Sequence, residues 1–210
     1  MREMWFAPLL VLLLALAPPV VAQPGASGGK PAAAPTASEQ DRVLGKAGAP
    51  ITIIEYASLT CPHCAHFADD VLPHLKQKWI DTGKAKLILR DFPLDEAALR
   101  AAMVARCVPP DRFYPLVDTF FASQDKWVVA KDWQDALQHI AQLAGVSKKK
   151  FDSCIADKKL EDEVAQSRLT AATQYGVAAT PTFFVNGTKF EGEPTVEKFD
   201  QLLSGLAAKS

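Results

Sequence analysis

Ile51-Thr52-Ile53-Ile54-Glu55-Tyr56-Ala57-Ser58-Leu59-Thr60-Cys61-Pro62-His63-Cys64 runs from a β-branched, apolar stretch into two thiols separated by two residues. Nearly uninterrupted apolar character over residues 51–57 reads as a central strand covered on both faces. A helix start then follows. Pro62 suits the first helical position, where the N–H has no intrahelical partner in any case and φ is already set by the ring. Cys61 at the N-cap therefore faces free backbone N–H groups and the positive end of the helix dipole, both of which favour thiolate over thiol. Cys64 falls one turn deeper, in line with Ala68, Val71 and Leu75 on the core side. Cys61 is thus the expected attacking sulfur and Cys64 the shielded resolving one. His63 between them is expected to add an N–H or positive charge beside Cys61.

Glu55 is out of place in such a strand. It is either turned to solvent at a strand end or buried with a raised pKa, and its place just ahead of Cys61 favours an acid that exchanges protons near neutrality.

Outward from the motif, a helical pattern runs through Leu75 and Trp79, with a kink expected at Pro73. It ends at 81–84, and residues 86–92 read as the next strand, which makes a β-α-β unit with the dithiol at its strand-to-helix junction. Sites gather at that carboxyl edge in open α/β sheets. Residues 95–175 contain no convincing strand. Helices are expected over 96–107, stopped by Pro109-Pro110, then over about 113–122, 131–144, 147–156 and 159–175. After Gly176, Val177-Ala178-Ala179-Thr180-Pro181-Thr182-Phe183-Phe184-Val185 precedes Asn186-Gly187, a hairpin turn signal. Thr195 caps a last helix whose stripe is Val196, Phe199, Leu202, Leu203 and Leu206.

At the other end, residues 4–22 form an apolar run behind Arg2, broken by Pro18-Pro19 and closed by Val20-Val21-Ala22, and read as a secretory signal at 1–22. An uncleaved membrane anchor is the rival, since the run is long enough to span a bilayer. Either expectation places the remainder outside the cytoplasm. Residues 23–40, rich in Pro, Gly, Ser and Ala, read as a disordered linker. Folding should begin near Asp41, with a short edge strand at Val43-Leu44.

The chain has 210 residues, 49% hydrophobic and 22% charged, with a formal net charge of -1, so a globular protein is expected and nucleic acid, which requires clustered Lys and Arg, is not. Its four cysteines suffice for one redox pair and one accessory pair. Cys107 and Cys154 both lie on apolar helical stripes. They are either two buried free thiols or, in an oxidising compartment, a structural disulfide between two helices. A zinc site built from Cys61, Cys64, His63 and His66 is disfavoured, because no second Cys/His cluster stands at finger-like spacing; no metal and no cofactor is expected.

The strand carrying Glu55, Cys-Pro-His-Cys at a helix start, the helical insertion and Gly-Val-Ala-Ala-Thr-Pro-Thr-Phe-Phe-Val-Asn-Gly together resemble the thioredoxin superfamily, and within it the periplasmic DsbA-like thiol oxidants. The resemblance covers about residues 41–207. It implies an α/β, thioredoxin-like fold with an inserted all-helical domain: residues 41–94 and 176–210 as the thioredoxin-like domain, 95–175 as the insertion. It implies Cys61 as nucleophile, Cys64 as resolving thiol, Pro181 as a cis-proline facing the disulfide with Thr180 before it, and Glu55 as a buried proton carrier for Cys64. Pro62, Thr180 and Pro181 would contact an extended substrate segment. The implied activity is donation of the Cys61-Cys64 disulfide to reduced, unfolded secreted proteins by a periplasmic monomer, with reoxidation by a membrane quinone-linked, DsbB-like oxidase. The same chemistry run as reductase or isomerase, and a noncatalytic peptide-binding holdase, are the alternatives.

Overall fold

The computed structural model describes Met1 and residues 34–208. Apart from Met1, the stretch read as export signal or anchor and the first part of the linker lie outside the described residues.

Five strands form one sheet: β1 (Val43–Leu44), β2 (Ile51–Ala57), β3 (Ala85–Asp91), β4 (Thr182–Val185) and β5 (Thr188–Lys189), in the order β1-β3-β2-β4-β5. β2 runs parallel to β3 and antiparallel to β4, so it is central and its apolar run is buried on both faces, as the sequence requires. Strand alternation separates the two faces. Ile51, Ile53 and Ala57 join the main core with Leu87, Leu89, Phe183 and Val185. Ile54, Tyr56, Ile88 and Phe184 form a second cluster with Ala171 and Val177. Glu55 is paired in register with Leu89 and Phe183, so it points to the same face as Ile53, the face of the main core.

After β2 the chain becomes helical from Pro62 to Ile80 in four pieces: α1 (Pro62–His66), a widened π turn (Phe67–Val71), α2 (Leu72–Leu75) and a second π turn (Lys76–Ile80). The kink expected at Pro73 takes the form of that first π turn. Leu72 N–H reaches back five residues to Phe67 O, and Pro73, which has no N–H to give, falls in the first turn of the segment that restarts after it.

Between β3 and β4 lies the helical insertion: α3 (Glu96–Arg106), α4 (Pro110–Ala122), α5 (Gln124–Trp127), α6 (Trp133–Leu143), α7 (Lys148–Ile155) and α8 (Lys158–Gln174). Asp95, Asp132, Ser147 and Asp157 cap α3, α6, α7 and α8 by accepting a backbone N–H three residues on. Pro110 starts α4 instead of blocking it, because the first helical position is where a proline is tolerated. Asn186 and Gly187 both take positive φ at the hairpin turn, and α9 (Val196–Ala207) follows its Thr195 cap.

Residues 34–40, read from the sequence as linker, are tied to the sheet. Arg90 Nη2 donates to Thr36 O at 2.6 Å, its guanidinium pairs with Asp41 at 2.8 Å, and Nη1 donates to Tyr56 Oη at 3.0 Å. Composition pointed to disorder here because the partner is a strand residue fifty positions away.

Cys107 and Cys154 are joined as a disulfide with a Cα–Cα distance of 5.8 Å. It links the C-terminal cap of α3 to α7.

Candidate active site

Cys61 is the N-cap of α1, with φ -81° and ψ 120°, and Pro62 stands in the first turn. Its carbonyl accepts from Cys64 N at 3.1 Å and Ala65 N at 3.2 Å, and its own N–H donates to Ser58 O at 3.1 Å. Cys61 and Cys64 are both free thiols, 5% and 0% exposed. The Thr180–Pro181 peptide bond is cis, and Thr180 O accepts from Cys61 Sγ at 3.3 Å. Chain segments 119 residues apart therefore meet at one sulfur.

The loop before α1 is fastened from the insertion. Gln124 Nε2 donates to Leu59 O at 2.9 Å and Cys61 O at 3.1 Å. Thr60 Oγ1 donates to Asp95 Oδ2 at 2.7 Å, while Asp95 also caps α3. Ser58 Oγ accepts from Leu94 N at 3.3 Å. None of this is visible in sequence: Gln124 lies in a four-residue helix without periodicity, and no local pattern announces a bond across 63 positions.

Surroundings push the two thiols apart. Cys61 is lowered from 9.0 to about 5, first by the Cys64 thiol hydrogen-bonded to it, against burial, with further help from Thr180 and from the backbone N–H groups of Cys64 and His63. Thr180 acts in both directions. Its carbonyl accepts the Cys61 proton and favours the thiol, whereas its Oγ1, buried and without a partner in the thiol form, is the donor that the anion would recruit. The net direction is down, because the donors aimed at the sulfur outnumber that one acceptor. Cys64 is pushed far up, mainly by burial and then by its own bond to Cys61 and the nearby charge of Glu55. Glu55, 2% exposed, is raised to about 8 by burial and secondarily by the Cys61 charge, and its Oε1 has no hydrogen-bond partner. At neutral pH the proton therefore sits on Glu55 and Cys64, and the negative charge on Cys61.

His63 is solvent-exposed, and its backbone N–H, not the imidazole that the sequence suggests, bears on Cys61. A peptide N–H at the mouth of a helix is fixed by the fold, whereas the imidazole is free to turn outward. His66 pairs with Asp70 at 2.5 Å. Among the described residues no group of three or more His, Cys, Asp or Glu side chains is arranged to hold a metal, and no helix is long and apolar enough to cross a membrane.

Residues 37–204 match the sequence profile of the thioredoxin family. The chain belongs to the thioredoxin family. Among solved structures it is similar to Wolbachia pipientis alpha-DsbA1, 35% identical with a TM-score of 0.77, over 82% of this chain and 94% of that one. It is also similar to a protein-disulfide isomerase from Novosphingobium aromaticivorans, 25% identical with a TM-score of 0.72, over 80% and 97% of the two chains. A Rickettsia bellii protein provisionally named a protein-disulfide oxidoreductase is 36% identical over 156 residues, 73% of this chain and 60% of that protein. The chain thus spans about three fifths of that relative's length. Within the thioredoxin family the DsbA-like fold, a mixed sheet with a helical insertion, is the one this chain shares.

Proposed function

We propose that the protein is a thiol:disulfide oxidoreductase that donates the Cys61-Cys64 disulfide to reduced secreted proteins. The observation that carries this reading is the placement of the Cys61 sulfur at the N-cap of α1, with the free Cys64 thiol one turn on and the cis-Pro181 loop across from it, surroundings that lower its pKa. A dithiol whose reduced form is stabilised in this way gives up its disulfide readily, because thiolate stabilisation favours the reduced side of the exchange.

In the oxidised form a substrate thiolate attacks Cys61 Sγ. The Cys61–Cys64 bond breaks, the electron pair leaves with Cys64, and a substrate–Cys61 mixed disulfide remains. Glu55, protonated near neutrality, stands behind Cys64 as the source of the proton that sulfur takes up. A second substrate thiolate attacks the substrate sulfur of the mixed disulfide, and Cys61 departs as the thiolate that its surroundings favour. The net result is one substrate disulfide formed and two electrons moved to the protein. Thr180 and Pro181 offer an edge on which an extended substrate segment pairs, and Pro62, exposed next to Cys61, is the further contact. Reoxidation falls to a membrane quinone-linked, DsbB-like oxidase, which places the protein in the periplasm, where it acts as a monomer, exported by the signal at 1–22 or held by it as an anchor.

The test is to mix the oxidised protein with a reduced two-cysteine peptide. One peptide disulfide per protein disulfide is expected, with none formed by Cys61→Ala. Reductase or isomerase action, the alternative that the Novosphingobium neighbour's name suggests, is separated by potential: about -120 mV marks a strong oxidant and about -270 mV the thioredoxin range. Full biological function in Cys61→Ala would instead point to a peptide-binding holdase.

A further inference from the structure

Beside the cis-Pro181 loop lies a cavity of about 340 Å³, walled on one side by His63, His66, Asp70 and Val71 and on the other by Thr180, Pro181 and the segment from Glu193 to Glu197. Its character is mixed in a particular way. Buried Val71 and half-buried Pro181, Pro194 and Val196 supply its apolar lining, and the exposed Asp70, Glu193 and Glu197 supply carboxylates, with no lysine or arginine in the lining. Asp70 is engaged by His66 at 2.5 Å. The carboxylates of Glu193 and Glu197 have neither a hydrogen-bond nor an ion-pair partner among the described residues. Thr180, also in the lining, is 9% exposed and its Oγ1 is unpartnered.

We propose that this cavity is a subsite for a lysine or arginine side chain within two residues of the reacting substrate cysteine, selected by Glu193 and Glu197. The inference rests on the exchange reading above and names the substrate feature that the same site prefers. A lysine or arginine matches both parts of the cavity: its aliphatic stem packs along the apolar lining and its charged head stays with the exposed carboxylates. A peptide paired at Thr180 in extended form presents alternate side chains to one wall, at about 3.3 Å per residue, which brings a near neighbour of the cysteine over the opening. Complementary charge of this kind sets partner preference more than raw affinity. An anion at the start of α9 is the competing occupant. Two unpaired carboxylates oppose it, and the Lys198 N–H of the first turn is already taken by Thr195 Oγ1 at 3.4 Å.

The experiment measures the exchange rate of the oxidised protein with three reduced peptides that differ only beside the cysteine, carrying Lys, Gln or Glu. Wild type is expected to oxidise the Lys peptide about three- to tenfold faster than the Glu peptide, the size that two exposed charge pairs supply. In Glu193→Gln/Glu197→Gln the ratio is expected to fall toward one. Because the ratio is internal to each variant, partial unfolding lowers both rates and leaves it unmoved. Exchange at equal rates in wild type, or a ratio that survives the double substitution, overturns the subsite and leaves the exchange reading intact. A faster Glu peptide overturns it in favour of an anion site. Absence of exchange with all three peptides overturns the exchange reading and the subsite with it.

Discussion

The two cysteine pairs of this chain share an element and little else. Cys61 and Cys64 are free thiols at the carboxyl edge of the sheet, whereas Cys107 and Cys154 are bonded to each other inside the helical insertion. Burial does not separate them, since Cys61, Cys64 and Cys154 are all buried. Donors do. Cys61 sits at a helix N-cap, where backbone N–H groups and the Cys64 thiol converge on one sulfur and lower its pKa to about 5. Cys107 stands at the opposite end of a helix, the C-terminal cap of α3, where the free groups are carbonyls and the dipole is negative. There the sulfur is bonded to Cys154, and a bond across 47 positions of sequence serves as a staple.

The sharpest way to break that contrast is at the first pair. Cys61→Ala is expected to abolish peptide oxidation. Cys64→Ala is expected to retain attack by Cys61 on a disulfide and accumulate the mixed disulfide, visible as an added peptide mass; rapid turnover in either variant would remove the division of labour between the two sulfurs. At the second pair, Cys107→Ser/Cys154→Ser is expected to lower unfolding free energy by about 4 kcal/mol in the chain-entropy account of a loop this long. Urea unfolding measures it, and the Cys61 titration should stay in place. A shift of that titration by more than a unit would show that staple and site are coupled.

Glu55→Gln gives a smaller effect, with a sign that depends on pH. The folded pKa of Glu55 is raised from 4.5 to about 8, so its favourable contribution is full below 4.5 and is lost as pH rises through 8. The amide escapes that loss. On the disulfide form, where Cys61 does not titrate, Glu55→Gln is expected to gain about 3 kcal/mol over wild type at pH 9 and almost nothing at pH 4. Cys61 runs the other way in the reduced form. Its depressed pKa adds stability that is full above 9 and lost as pH falls through about 5. Gln124→Ala is the smallest of the series. Loss of two bonds to the loop before α1 is expected to cost about 1 kcal/mol and to speed amide exchange in residues 59–61.

Much of this arrangement is legible in the chain. Residues 51–57 read as a covered strand, Pro62 suits a helix start, and Asn186-Gly187 between apolar runs turns a hairpin. Each is a local signal with a local cause. What escaped the sequence is held by distant partners: the Gln124 bonds to Leu59 and Cys61, and the Arg90 grip on Thr36 and Asp41, which fixes residues that composition alone assigns to a linker. The bond between Cys107 and Cys154 is favoured in the sequence only through the oxidising compartment that the export reading implies, because an apolar helical stripe suits a buried thiol as well as a buried disulfide.

Thiolate absorbance of the reduced protein, followed from pH 3 to pH 10, tests the central claim most directly. One thiolate is expected to appear with a midpoint near pH 5, absent from Cys61→Ala, with no second one below pH 10. A single transition near pH 9, the value of an ordinary cysteine, would contradict it.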